Sequence, residues 1–102
     1  MDEEATVSLP QEYFLYQNFP NPFNPITELR YQLPEASEVR LSVYNLLGQE
    51  VRRLVDEKMA AGAHSAQWDG RDDSGNPLAS GVYLCRFRAG DFRQTKRIVL
   101  LR

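Results

Sequence analysis

The segment TELRYQL, from Thr27 to Leu33, decides the fold, because its apolar and polar residues alternate strictly. Successive side chains of a β-strand point to opposite faces, so this pattern predicts a strand with one buried and one exposed face. The same alternation returns in Val39–Val43 and in Gly81–Ala89. Several short strands separated by turns are typical of an antiparallel β-sandwich.

Three further strands are predicted over Gln49–Val55, around His64–Trp68 and over Phe92–Leu101. A tight hairpin at Asn45–Gly48 is expected to join two strands, with Gly48 at positive φ, and Gly90-Asp91 forms another. Asp56–Ala61 is the best helical candidate. Because a helix that short is marginal in isolation, we expect a loop or a single turn there.

The N-terminal part of the chain lacks this periodicity. Residues 1–12 are polar and are predicted to be a linker or frayed end, which leaves residues 13–102 for the sandwich. Prolines at positions 20, 22 and 25 exclude a helix or a central strand. The segment around them is therefore predicted to be a rigid, ordered loop, with Phe19 and Phe23 filling the core.

Length and composition limit the function. The 102 residues suit one domain, and a net charge of −2 gives no reason to expect nucleic acid as a partner. No run of about 18 apolar residues is present, so no transmembrane segment is predicted. The acidic start of the chain does not resemble a signal peptide, so an export signal would lie upstream. The single cysteine, Cys85, excludes an internal disulfide and is expected to be buried.

Little in the sequence points to catalysis or metal binding. His64 is the only histidine and shares a strand face with Ala66 and Trp68, so a structural role is favoured, and we predict neither an enzyme nor a cofactor. Three carboxylates offer oxygen ligands to a cation such as calcium, together with the Asn76 amide. Their spacing is not that of an EF-hand, and their residue types are those of ordinary turns. They are Asp69, Asp72 and Asp73.

Carbohydrate binding is an alternative, since small sandwiches attached to secreted glycosidases often bind sugars through exposed aromatic side chains. Tyr13, Phe14, Tyr16 and Tyr44 are the candidates for such a platform. Aromatic residues more often fill a core, so an accessory carbohydrate-binding or structural sandwich is the second hypothesis.

The end of the chain is unusual, because Ile98–Leu101 is apolar on both faces. One interpretation is an internal strand with a basic cap from Lys96, Arg97 and Arg102. The other is an edge strand that a partner recognises by strand addition. The physics of the sequence favours neither.

Six ordered blocks, from about Leu15 to Arg102, resemble the type A C-terminal sorting domains of proteins exported by the type IX secretion system of Bacteroidetes and relatives. The stretch from Trp68 to Tyr83 is also similar to the immunoglobulin-like domain of the flagellar hook-capping protein. The six blocks are QNFPNPFNP (17–25), VYNLLGQEV (43–51), AGAH (61–64), WDGRD (68–72), SGVYL (80–84) and KRIVLLR (96–102).

The resemblance implies an immunoglobulin-like or fibronectin III-like sandwich of about seven strands at the end of a secreted multidomain protein. It implies a sorting signal that takes an upstream cargo domain through the periplasm and outer membrane to the cell surface or the extracellular space. The implied partners are the secretion machinery and a sorting peptidase at the outer membrane. Many members end in lysine where this chain has Arg102, so a contact tuned to lysine is in doubt. The residues that carry over are Gly81, Tyr83, Gly90, Lys96, Arg97, Ile98, Val99, Leu100, Leu101 and Arg102.

Overall fold

The fold is the predicted antiparallel β-sandwich. A computed structural model describes residues 9–102, and this part of the chain forms seven strands in two sheets. The three-stranded sheet has the order β1-β2-β5, and the four-stranded sheet has the order β4-β3-β6-β7. The strands are β1 (Phe14–Leu15), β2 (Thr27–Leu33), β3 (Ser37–Tyr44), β4 (Glu50–Met59), β5 (Gly62–Trp68), β6 (Gly81–Ala89) and β7 (Phe92–Leu100).

The core lies between the two sheets and is built from the alternating positions. In β2, Leu29, Tyr31 and Leu33 are buried, while Glu28 and Arg30 are exposed. The inward side chains of β3 and β6 meet them from the other sheet, and Trp68 at the end of β5 is fully buried with them. The alternation that predicted these strands therefore also predicted their buried faces.

The predicted hairpins are present, and Gly48 takes a φ of +85° at the tip of the β3–β4 connection. Asn45 supports that turn, because its Oδ1 accepts hydrogen bonds from the Leu47 and Gln49 backbone N–H groups. No helix occurs within residues 9–102, and hence none that is long and apolar enough to cross a membrane.

The prediction of a loop or helical turn at Asp56–Ala61 was wrong, because β4 continues to Met59. Asp56 pairs with Arg40, and Met59 pairs with Ser37 at the start of β3. Asp56, Glu57 and Lys58 are charged in succession, so this stretch has no alternating pattern of its own. Its extended conformation is stabilised by the ladder of backbone hydrogen bonds to β3.

The N-terminal loop was predicted in part. Phe23 is buried as expected, with its ring centroid 5.3 Å from that of Trp68. The expectation for Phe19 was wrong, because its side chain is 77% exposed. Phe19 pairs with Glu28, and cross-strand partners point to the same face, which is the solvent face here. The short strand β1 was not anticipated, and most of the predicted linker, residues 1–8, lies outside the described residues.

Candidate functional site

The structure places the predicted recognition residues on one hairpin, formed by β6 and β7. Gly81 lies opposite Leu100, and Tyr83 lies opposite Ile98. Gly90 is the exception, because it sits at the tip of the hairpin, at the opposite end from the chain terminus. The other predicted residues lie along the half of the hairpin that ends at Arg102.

The side chains of the terminal strand divide between core and solvent. Ile98 and Leu100 have no exposed surface, whereas Leu101 is 52% exposed. Arg97 is exposed, and Val99 is half-buried. The apolar end is thus a sheet strand with a fully buried inner face, and it still presents Arg97 and Leu101 to solvent.

The outer edge of β7 is covered at its end by the proline-rich segment, residues 17–25. The Phe23 N–H donates to the Val99 carbonyl at 3.0 Å, and the Leu101 N–H donates to the Phe23 carbonyl at 3.0 Å. The Val99 N–H donates to Asn21 Oδ1 at 2.9 Å. The side-chain amide of Gln17 donates to the Arg97 carbonyl at 2.7 Å. This edge is therefore paired with the chain itself near the terminus.

Further from the terminus the same edge is open. Peptide groups of an antiparallel strand alternate between its two neighbours, so the groups of Arg93 and Thr95 point to the same side as those of Val99. No hydrogen bond reaches the outward peptide groups of these two residues from any other residue in the range 9–102. An open edge of this kind can accept an additional strand.

Arg102 is bound to the loop that connects β5 and β6. Its Nη2 donates to the Gly70 carbonyl at 2.6 Å and its Nε donates to the Leu78 carbonyl, while its backbone N–H reaches Ser80 Oγ at 2.8 Å. A guanidinium suits two carbonyls at once, which a lysine ammonium cannot match in geometry. The terminal arginine therefore has a structural role at the loop between β5 and β6.

Gly70 and Tyr83 lie beside the Arg102 side chain. A Cβ atom on Gly70 would lie 2.9 Å from Arg102 Nη2, and Gly70 has a φ of +74°. The Tyr83 hydroxyl donates to the Ala79 carbonyl at 2.7 Å. Burial raises the pKa of Tyr83 above its ordinary value, and the charge of Arg102 opposes that rise only in part.

The three turn carboxylates are already occupied by protein donors. Asp72 Oδ1 accepts from the Ser74 and Asn76 backbone N–H groups at 2.9 Å each. Asp69 Oδ1 lies 3.3 Å from an Arg52 nitrogen, and Asp73 Oδ1 lies 3.8 Å from another. Within residues 9–102 no three acidic, histidine or cysteine side chains are grouped as metal ligands. The Asp72 carboxylate thus stabilises the turn through Ser74 and Asn76.

The predicted aromatic platform is not assembled. Tyr13 stacks on Phe92 at 5.5 Å, and Phe14 contacts Tyr16 edge-on at 4.8 Å beside β1. Tyr44 lies on the four-stranded sheet, with the Arg86 guanidinium 4.7 Å from its ring centroid. The four rings do not share one surface.

Neither His64 nor Cys85 belongs to a reactive group of residues. His64 Nε2 lies 2.7 Å from the Ala60 carbonyl oxygen, and its ring stacks on Tyr31. Cys85 is fully buried as predicted, and burial raises the pKa of its thiol to about 12. A thiol with such a pKa is not a thiolate at neutral pH, so it is a poor nucleophile.

The comparisons with known proteins identify the body of the sandwich. The model of the FlgD Ig-like domain matches residues 26–90, more than half of the chain. The chain belongs to the FlgD Ig-like domain family. The crystal structure of FlgD from P. aeruginosa is 31% identical, with a TM-score of 0.56, over 72% of this chain and 58% of that one. This confirms the immunoglobulin-like sandwich and the relationship with the hook-capping protein.

A second solved structure has the same fold. PorZ of Porphyromonas gingivalis, described as an essential bacterial surface component of the type IX secretion system, is 18% identical, with a TM-score of 0.52. The alignment covers 88% of this chain but only 11% of PorZ, and the chain spans 58% of the FlgD structure. No curated protein sequence matches the chain.

The family match leaves out both ends of the chain. It begins at Ile26, after the proline-rich segment, and stops at Gly90, before β7. These two parts contact each other through Phe23 and Val99. No local sequence pattern indicates this contact, because the two partners are separated by most of the chain.

Proposed function

We propose that this FlgD Ig-like domain is a non-catalytic C-terminal sorting signal for type IX secretion. The proposal rests on one observation: the C-terminal segment that contains β7 is buried on its inner face and exposed to solvent elsewhere. Ile98 and Leu100 fix the strand in the core, while Arg97 and Leu101 and the open edge at Arg93–Thr95 face solvent. A rigid strand with exposed ends and a partly open edge is a suitable recognition element.

The six sequence blocks support the type IX assignment within the proposal. The last of them, Lys96–Arg102, coincides with the exposed end of β7 and with the docked Arg102. The similarity to PorZ supports only the fold, because the two sequences are only 18% identical.

The recognition step would use both the backbone and the side chains of β7. A strand of the secretion machinery adds to the open outer edge at Arg93–Thr95, where the backbone provides affinity, and the side chains of Arg97 and Leu101 provide specificity. The domain thereby directs a cargo domain upstream in the same chain through the periplasm and the outer membrane. A sorting peptidase then acts at the cell surface, where the cargo is attached or released.

The test fuses the whole chain to the C-terminus of a periplasmic reporter in a type IX-competent host. We expect the reporter outside the cell with the wild-type domain. The double variant Arg97→Glu/Leu101→Asp should hold the reporter in the periplasm, because it reverses the charge of one proposed recognition side chain and places a charge on the other, and both are exposed. Fractionation and immunoblotting measure the distribution.

The matched control is Leu47→Asp at the β3–β4 hairpin, where the side chain is 86% exposed. This variant should be exported like the wild type. Deleting Lys96–Arg102 is a poorer test, because it also removes the buried Ile98 and Leu100 and would unfold the domain. Wild-type export of the double variant would refute recognition through the end of β7.

A further inference from the structure

Three arginines lie in one row across the outer face of the four-stranded sheet. Arg40 of β3 is directly opposite Arg88 of β6, and Arg88 is directly opposite Arg93 of β7. The next row places Arg86 between Ser42 and Thr95. These four arginines, at positions 40, 86, 88 and 93, are called the arginine face below.

The arginine face has few acidic partners. Asp56 lies at one end of the row, 3.9 Å from Arg40. Within residues 9–102 no carboxylate lies within 4.0 Å of the guanidinium groups of Arg86, Arg88 and Arg93. Glu38 is near one border of the face and makes no ion pair within the same range. This local positive charge belongs to a chain whose net charge is −2.

Like charges directly opposite each other on a sheet are destabilising, and this row has two such pairs in succession. An anion between the guanidinium groups would convert that repulsion into charge-assisted hydrogen bonds. We propose that the arginine face is a binding site for a phosphate group, carried either by a soluble phosphorylated ligand or by a lipid headgroup.

The shape of the face fits such a ligand. A shallow groove of about 430 Å³ is lined by side chains of β6 and β7, with one hydroxyl and one amide beside the cations. A guanidinium presents planar, paired donors that match phosphate oxygens. The groove residues are Arg86, Arg88, Arg93, Gln94 and Thr95.

Two neighbouring side chains prepare the groove. The Arg86 guanidinium is 4.7 Å from the centroid of the Tyr44 ring, and this cation–π contact restricts the rotation of the arginine side chain. Ser42 is 1% exposed, and its Oγ has no hydrogen-bond partner in residues 9–102. An unpartnered buried hydroxyl is costly. Ser42 lines the small recess beside the groove together with Arg86 and Arg88, so an oxyanion held between these two guanidinium groups would lie next to this hydroxyl.

The test measures the Tm of the whole chain in inorganic phosphate and in sodium chloride of equal ionic strength. At about ten times its Kd, phosphate should raise the Tm by about 5 °C or more above the chloride value. Co-sedimentation with vesicles of phosphatidic acid in phosphatidylcholine, compared with pure phosphatidylcholine, distinguishes the sources. Binding to inorganic phosphate alone indicates a soluble ligand, and selective binding to the phosphatidic acid vesicles indicates a lipid headgroup.

Arg88→Gln removes the central cation of the row. We expect its affinity for phosphate to fall at least about tenfold, because it loses charge-assisted hydrogen bonds. In chloride its Tm should equal or exceed that of the wild type, because two repulsive pairs are relieved. The matched control is Arg30→Gln on the exposed face of the other sheet, which makes the same change of charge.

The proposal is overturned if phosphate and chloride give the same Tm and neither vesicle binds. It is equally overturned if Arg30→Gln weakens phosphate binding as much as Arg88→Gln does, because the effect would then be one of net charge. These outcomes do not depend on export, so they leave the proposed sorting function to its own test.

Discussion

The body of the domain, residues 26–90, and its two flanking segments differ in how their structure arises. The body matches the FlgD Ig-like domain, and alternation within each strand predicts most of it. The flanks, residues 9–25 and 91–102, lie outside that match and pair with each other through Phe23 and Val99. The flanking segments therefore supply one edge strand to each sheet, β1 and β7, and the proposed signal lies in the C-terminal one.

The largest expected loss of stability comes from truncating a buried side chain of the C-terminal flank. Leu100→Ala is expected to cost about 2–5 kcal/mol in the free energy of unfolding, the same range as Leu29→Ala in the body. Both side chains have no exposed surface. Denaturant unfolding of the two variants measures the comparison. A cost below about 1 kcal/mol for Leu100→Ala would show that β7 is not firmly docked.

A smaller loss of stability is expected at the contact between Gly70, in the body, and Arg102, at the end of the C-terminal flank. Gly70→Ala forces a side chain into positive φ and places its Cβ 2.9 Å from Arg102 Nη2, whereas Gly75→Ala meets only the φ penalty. The Gly70 variant should lose about 1.5 kcal/mol more than the Gly75 variant, because Arg102 must leave its carbonyl partners. Adding Arg102→Ala to Gly70→Ala should add little further loss. Additive losses would contradict the contact.

The smallest effect should come from the proline-rich segment. Asn21→Ala removes the acceptor of the Val99 N–H and is expected to cost about 1 kcal/mol. Hydrogen exchange then gives the local readout, since the Val99 amide should exchange faster in the variant. The Thr95 amide, on the open part of the edge, should exchange rapidly in both proteins. Equal protection of Val99 in the two proteins would show that Asn21 does not hold the strand.

Sequence patterns predicted the elements whose burial is decided locally. Leu29 and Tyr31 alternate with charged residues, so one face of β2 was evident. The end of β4 was missed because Asp56, Glu57 and Lys58 are charged in succession and show no alternation, so pairing with β3 decides their conformation. Phe19 and Phe23 have similar proline-rich neighbours in the sequence. Phe19 pairs with the exposed Glu28 and Phe23 pairs with the buried Leu100, so one ring is exposed and the other is buried.

The candidate site was predicted as a list of residues rather than as an arrangement. The terminal pattern identified Ile98–Leu101 as unusual, and the structure shows that one strand can serve both the core and the solvent. The docking of Arg102 on Gly70 and the row of arginines depend on register between distant segments. A single sequence contains no local signal for such registers.

The most direct test of the central claim measures stability and export in the same variants. Arg97→Glu/Leu101→Asp should keep a free energy of unfolding within about 0.5 kcal/mol of the wild type and lose export, because it changes only two exposed side chains near the C-terminus. Leu47→Asp should keep both. If the double variant is equally stable and still exported at the wild-type level, the end of β7 is not the signal.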